Sequence, residues 1–211
     1  MGRFYRRLLK RLLDVVVAVI MFILLLVPLV LIAFLVKVTS KGPILFKQER
    51  FGKNSKPFIL YKFRSMSDGA PIKANAEFTD ITSYVTPFGM FIRRTSIDEL
   101  PQLINIIKGD MSFIGPRPLA ITDEKVLMLR RSNGADHVRP GISGLAQVNG
   151  RNNITDEDKA AYDAKYVALI SLRMDVLLIV ETVISVLRRD GVFKEAISND
   201  NVKKNTKKNV E

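Results

Sequence analysis

Two adjacent carboxylates, Asp98 and Glu99, stand where a helical signal begins. Neighbouring positions at a helix start project about 100° apart, so both side chains can serve one site without facing each other. The positive end of the helix dipole favours their ionised forms. A carboxylate can attack phosphorus to give an acyl phosphate, and its neighbour can hold a hard divalent cation, Mg²⁺ or Mn²⁺, through oxygen. Arg93 and Arg94 lie just upstream, placed to neutralise phosphate brought near those acids. Ordinary capping is the competing explanation: Ser96 and Glu99 have the capping-box spacing, and Asp98 could itself be the cap. A second set, Lys62, Arg64, Arg117, Arg139 and Arg151, lies at strand ends or beside Gly/Pro turns. Arginine's planar fork suits phosphate oxygens, although any one of these residues alone reads as a solvated charge.

Other chemistries are poorly provided for. The 211-residue chain has no cysteine, which excludes disulfides, zinc–thiolate sites and thiol nucleophiles. His137, in a polar loop, is the only histidine and reads as solvated. No glycine-rich phosphate loop follows a strand. Asp156-Glu157-Asp158 follows Thr155 directly and reads as a capped helix start. The formal net charge of +12 calls for anionic partners. Nucleic acid is the weaker choice, because much of the excess borders an apolar run where anionic lipid attracts it, and no nucleic-acid-binding pattern is present.

That run must position everything else. It extends from Leu12 to Val36, contains Pro28, and is flanked by Arg3, Arg6, Arg7, Lys10 and Arg11 on one side. Lys37, Lys41, Lys47, Arg50, Lys53 and Lys56 follow on the other. The length suffices to cross a bilayer, but a straight span would export one basic cluster. Pro28 lacks an amide hydrogen and its ring clashes with the carbonyl of Leu24, so the helix should bend and return to the same face. An ordinary spanning helix with a tolerated proline is the alternative.

Beyond the run, Ile44-Leu45-Phe46 and Phe58-Ile59-Leu60-Tyr61 predict a β-hairpin turning through residues 52–57. Residues 68–86 read as a loop. Leu100, Leu103, Ile104 and Ile107 recur at helical spacing after Pro101, and Gly109 ends that helix. Gly115-Pro116-Arg117-Pro118 and residues 139–144 read as rigid loops with a short helix at 123–131 between them. Thr155 should cap one helix, and residues 173–189 should form another whose apolar face packs on the core, with the membrane surface as the alternative. The lysine-rich stretch 198–211 has little to bury and is expected to be disordered.

Four ordered strings carry a resemblance: Lys62-Phe63-Arg64-Ser65-Met66; Arg94 to Gln102 around the acidic pair; Gly115-Pro116-Arg117-Pro118-Leu119; and Arg139 to Arg151. Together they resemble the bacterial sugar transferase family, the monotopic phosphoglycosyl transferases that start capsule, exopolysaccharide or glycoprotein glycans. The similarity runs to about Arg189, and the length resembles the small members without an extra N-terminal membrane bundle. The resemblance implies transfer of a sugar 1-phosphate from a UDP-sugar to polyprenol (undecaprenyl) phosphate, with UMP released. Asp98 would be the nucleophile of a covalent phosphosugar intermediate and Glu99 would bind Mg²⁺. Arg93 and Arg117 would contact phosphate; Lys62 and Arg64 are assigned by nearness to their motif alone. One departure is Val27-Pro28 where small members often have Ser-Pro.

The expected fold is therefore α+β: a re-entrant membrane helix over 1–40, then a small, mainly helical cytoplasmic domain over 41–197 with a β-hairpin and interfacial amphipathic helices. The expected place is the cytoplasmic face of the bacterial inner membrane. Expected partners are the UDP-sugar, polyprenol phosphate, anionic lipid and downstream glycosyltransferases, with a homodimer left open. The reading from another class is a membrane-anchored scaffold that binds anionic lipid or glycan without catalysis.

Overall fold

The computed structural model describes residues 5–67, 69, 84–150 and 154–187, and the fold is α+β with helices predominating. A π-type turn, Tyr5–Leu9, leads into α1 (Lys10–Leu24) and α2 (Leu26–Thr39), which meet at Leu25 with a bend of 65°. The break falls one turn before Pro28, because the missing N–H and the ring clash act on the preceding turn. Pro28 itself sits in the first turn of α2, where an amide hydrogen is dispensable. Among the described residues no single helix is long and apolar enough to cross a membrane; only the bent pair meets that test together.

One face of each arm packs on the rest of the protein. Ala18, Met21, Phe22 and Leu25 meet Leu60, Leu103, Ile106 and Met111. Leu29, Ile32, Ala33 and Val36 meet Phe63 and Ile92. The opposite face is apolar and open: Ile23, Leu24, Val27, Val30 and Phe34 are all exposed, Leu24 by 73%. Asp14, the acid inside the apolar run, is buried and accepts the Phe113 amide at 3.3 Å. Two of the flanking cations are also turned inward. Lys10 pairs with Asp175 at 2.7 Å, and Arg11 donates to the carbonyls of Ile106 and Ile107.

Strands β1 (Leu45–Phe51) and β2 (Pro57–Phe63) form the antiparallel hairpin, longer than the expected strands, with Leu45 opposite Phe63 and Phe51 opposite Pro57. Of the expected loop at 68–86, residues 68 and 70–83 lie outside the described residues; Met66 and Val85 bridge across its ends. Helix α3 (Pro87–Arg94) follows, with Thr86 capping Gly89 at 2.9 Å and proline in the first turn. This helix was not expected, although Thr-Pro is a legible start signal.

Helix α4 (Gln102–Lys108) ends at Gly109, whose φ of +100° suits glycine. The string at 115–118 is a loop, as expected, but 139–144 is not a loop throughout: within it β4 (Gly141–Ser143) pairs in parallel with β3 (Ser112–Ile114). The backbones approach so closely that a Cβ on Gly141 would lie 2.1 Å from the Gly115 nitrogen. Helix α5 (Glu124–Asn133) lies between these strands in sequence, and a short α6 (Leu145–Val148) follows them. Helix α7 (Asp156–Leu169) is capped by Thr155 as expected, its Oγ1 accepting from the Asp158 amide.

Helix α8 (Leu172–Leu187) forms where expected but does not bury its apolar stripe. Val176, Leu177, Ile179, Val180, Val183 and Ile184 are exposed, while Leu178 is wholly buried. The helix is held instead by buried Asp175, which accepts from Tyr5 at 2.6 Å and Tyr166 at 2.7 Å besides pairing with Lys10. The stretch 198–211 lies outside the described residues.

Candidate active site

The acidic pair lies on a short 3-10 turn, Ile97–Glu99, between α3 and α4. The capping box that the spacing of Ser96 and Glu99 allows does not form, and the helix starts later, at Gln102. Ser96 adopts a left-handed φ of 56° and makes no side-chain cap, because the chain turns sharply out of α3. In a 3-10 turn successive side chains diverge by about 120°. Asp98 is therefore buried, whereas the Glu99 side chain remains 23% exposed. Ile97 and Leu100 pack beside Ile92 and Phe63, which fixes the turn against β2.

A buried amide sets the register between these elements. Asn105 on α4 is fully buried, accepts the Tyr61 amide at 3.1 Å and donates to the Ile59 carbonyl at 2.7 Å. The next residue on β2, Lys62, then reaches Glu99 at 2.6 Å. Lys62 is thus brought to the acidic pair. So is Arg93, which together with Lys62 favours the ionised form of Asp98. Burial outweighs both, with Glu99 adding to it, and pushes the Asp98 carboxyl up to about 6. Burial also lowers the Arg93 guanidinium, with Asp98 opposing.

Arg50 was read only as a flanking charge, yet the fold carries it to the site. Burial, and then the nearby positive charge of Arg117, push it down to about 10, against Asp123 and Glu99. The Arg50 guanidinium is held in place by Gln48 Oε1, through Nε at 3.1 Å and Nη2 at 2.6 Å, and by the Pro118 carbonyl at 3.4 Å. No signal in the sequence singles out Arg50 from the other basic residues of the hairpin.

The remaining expected residues are distributed differently. The Arg117 side chain is exposed, on a loop whose backbone is tightly held. Arg64 is buried and donates to the Ser40 carbonyl at 2.7 Å, tying the end of α2 to β2; its Nε and Nη1 meet no acceptor among the described residues. Arg139 does not join the acidic pair. It donates to the Gly109 carbonyl at 2.8 Å, beyond the opposite end of α4, where the helix dipole favours a cation. Arg151 lies outside the described residues. His137 is exposed, as expected.

No group of three or more His, Cys, Asp or Glu is assembled among the described residues. Glu99, the more exposed of the two acids, could supply the single carboxylate of a Mg²⁺ ion that completes its shell from substrate phosphates and water.

The whole arrangement can be set beside known proteins. The family model described as bacterial sugar transferase matches residues 5–189. The sugar transferase EpsL of Bacillus subtilis is 40% identical over 185 residues, covering 88% of this chain and 90% of that protein. The exopolysaccharide production protein PSS of Rhizobium leguminosarum is 38% identical, covering 88% and 98% respectively. The UDP-glucose:undecaprenyl-phosphate glucose-1-phosphate transferase of Escherichia coli is 40% identical over 84% of this chain, which spans only 40% of that protein's length. The match takes in the bent helices, the hairpin and the acidic turn alike, and the chain belongs to the bacterial sugar transferase family.

Proposed function

We propose that this chain is a phosphoglycosyl transferase that moves a sugar 1-phosphate from a UDP-sugar to undecaprenyl phosphate and releases UMP. The observation that carries the reading is a single one: a buried carboxylate, Asp98, set between the Lys62–Glu99 pair and Arg93. A carboxylate stripped of water is a stronger nucleophile than a solvated one, and nearby cations can hold a phosphate against it. An Asp98 oxygen attacks the phosphorus that bears the sugar. The bond to the UMP oxygen breaks and UMP leaves with the electron pair. An oxygen of undecaprenyl phosphate then attacks the same phosphorus and frees Asp98.

Arg93, Arg117 and Lys62 bear on the phosphate oxygens, and Arg50, hydrogen-bonded to the Pro118 carbonyl, steadies the loop that carries Arg117. Glu99 would hold Mg²⁺ (or Mn²⁺), which when bound would offset the charge of the diphosphate. Binding then requires Lys62 to turn from Glu99 toward phosphate. Relatives named for glucose and for galactose transfer are similarly close to this chain, 40% and 37% identical, so the hexose is left open.

The bent helices enter the bilayer from the cytoplasmic side and leave on the same side. Support comes from both ends being tied to one domain, through Lys10 and Arg11 at the start and Ser40 at the end. The apolar outer face of the pair supports it too. Anionic lipid would gather at the remaining flanking cations. The product calls for downstream glycosyltransferases to extend it. Release of UMP by purified protein, measured across a panel of UDP-sugars with undecaprenyl phosphate, tests the reading. The scaffold alternative gives no UMP with any of them.

A further inference from the structure

The loop that carries Arg117 is held in an unusual way. Four successive carbonyls are each taken by a different donor. Pro116 accepts the Gly141 amide at 2.9 Å, and Leu119 accepts the Phe51 amide at 2.9 Å. Pro118 accepts from Arg50 at 3.4 Å, and the Arg117 carbonyl accepts Nη1 of Arg130 at 2.8 Å. Prolines on both sides of Arg117 fix the neighbouring φ angles. The backbone is thus pinned at four successive residues while the Arg117 side chain stays exposed.

The Arg130 link differs from the others. Arg130, on α5, is buried, and its remaining nitrogens are committed to Asp163 on α7: Nε at 2.8 Å and Nη2 at 2.6 Å from Oδ2. Asp163 is wholly buried and its Oδ1 has no partner among the described residues. Burial pushes its carboxyl pKa upward, with Arg130 opposing. An ion pair kept this dry is poor value as a staple, since apolar residues of like size often stabilise as well. What an apolar pair could not do is direct a rigid fork at one backbone carbonyl.

We propose that Asp163 and Arg130 are positioning residues: Asp163 orients Arg130, and Arg130 sets the pose from which Arg117 meets the phosphates of the sugar nucleotide. The proposal rests on the phosphate role given to Arg117 above. Misplacing a substrate-positioning group by about 1 Å can cost up to roughly a hundredfold.

The experiment is a mutant cycle on the full-length protein in detergent or nanodiscs, at a temperature well below each variant's melting point. R130K and D163N should each raise KM for the UDP-sugar about tenfold with a smaller change in kcat. In the R117A background R130K should add nothing, because its effect passes through Arg117. N133A is the control. It removes another α5–α7 link, the Asn133 bond to the Ala160 carbonyl at 3.0 Å, and should lower the melting temperature with KM unchanged. D163N serves where R130K does not fold. If N133A raises KM as much as D163N, or if R130K and R117A multiply, the pair is merely structural and the proposal falls. An R117A protein with wild-type kinetics, whatever R130K does, removes the phosphate role beneath the proposal and overturns both.

Discussion

At the scale of single residues, the site turns on a carboxylate kept out of water. Raising Asp98 to about 6 has a signed consequence. The attacking form is ionised, so kcat/KM should fall as pH drops through about 6 and level off above it. A flat profile from pH 5 to 8 would contradict the nucleophile's environment. Burying the charge also costs stability once the group ionises, because the folded state binds the proton more tightly than the unfolded state does. Stability from this group is therefore present at low pH and lost as pH rises through about 4 to 6. Asp98→Asn removes the charge and should raise the melting temperature near neutral pH, by roughly 1–3 kcal/mol of stability, while turnover drops by at least about a thousandfold. Glu99→Gln should weaken the response to Mg²⁺, and EDTA should silence the wild type; full activity in chelator rejects the metal role. The acidic pair was legible because adjacency is a property of sequence. Arg50, Asn105 and Arg130 were not, since their partners are 68, 44 and 33 positions away and only the folded chain brings them together.

Elements show where local signals suffice and where they stop. The hairpin, the Thr155 cap and the Gly109 stop follow from residues within a few positions of one another, and they stand where expected. The acidic turn does not follow from its capping-box spacing, because packing of Ile97 and Leu100 against β2 decides its geometry. Helix α8 makes the same point: its stripe is apolar enough for a core, but the Asp175 cluster turns that stripe outward. Asn105 joins α4 to β2 through two backbone groups, so Asn105→Ala should cost about 1–3 kcal/mol and loosen Lys62 from Glu99. A thermal melt unchanged from wild type would show that water replaces the amide. Pro28 sets the break at Leu25, so Pro28→Leu should straighten the pair and favour a spanning state. Cysteines placed singly at Gly2 and Lys41 in this cysteine-free chain report it with an impermeant thiol reagent. Both should stay unlabelled in intact cells, and the Pro28→Leu form should expose one of them. External labelling of one site without that substitution contradicts the re-entrant arrangement.

The whole molecule joins an exposed apolar surface to a charged interior turn. The apolar outer face of α1 and α2 lies across the helices from the packing that holds β2, and β2 carries Lys62 to Glu99. Placing the bent pair in a bilayer thus places the acidic turn near its edge, where a soluble nucleotide and a lipid-borne phosphate can both arrive. The central claim is that the sugar phosphate passes through Asp98 itself. Purified protein mixed with a UDP-sugar labelled in the sugar, and without polyprenol phosphate, measures this directly. The wild type should acquire label that survives denaturation, in step with UMP released, and should lose it when polyprenol phosphate is added. Asp98→Asn should acquire none. Label retained by Asp98→Asn, or transfer to lipid by that variant near the wild-type rate, would contradict the account.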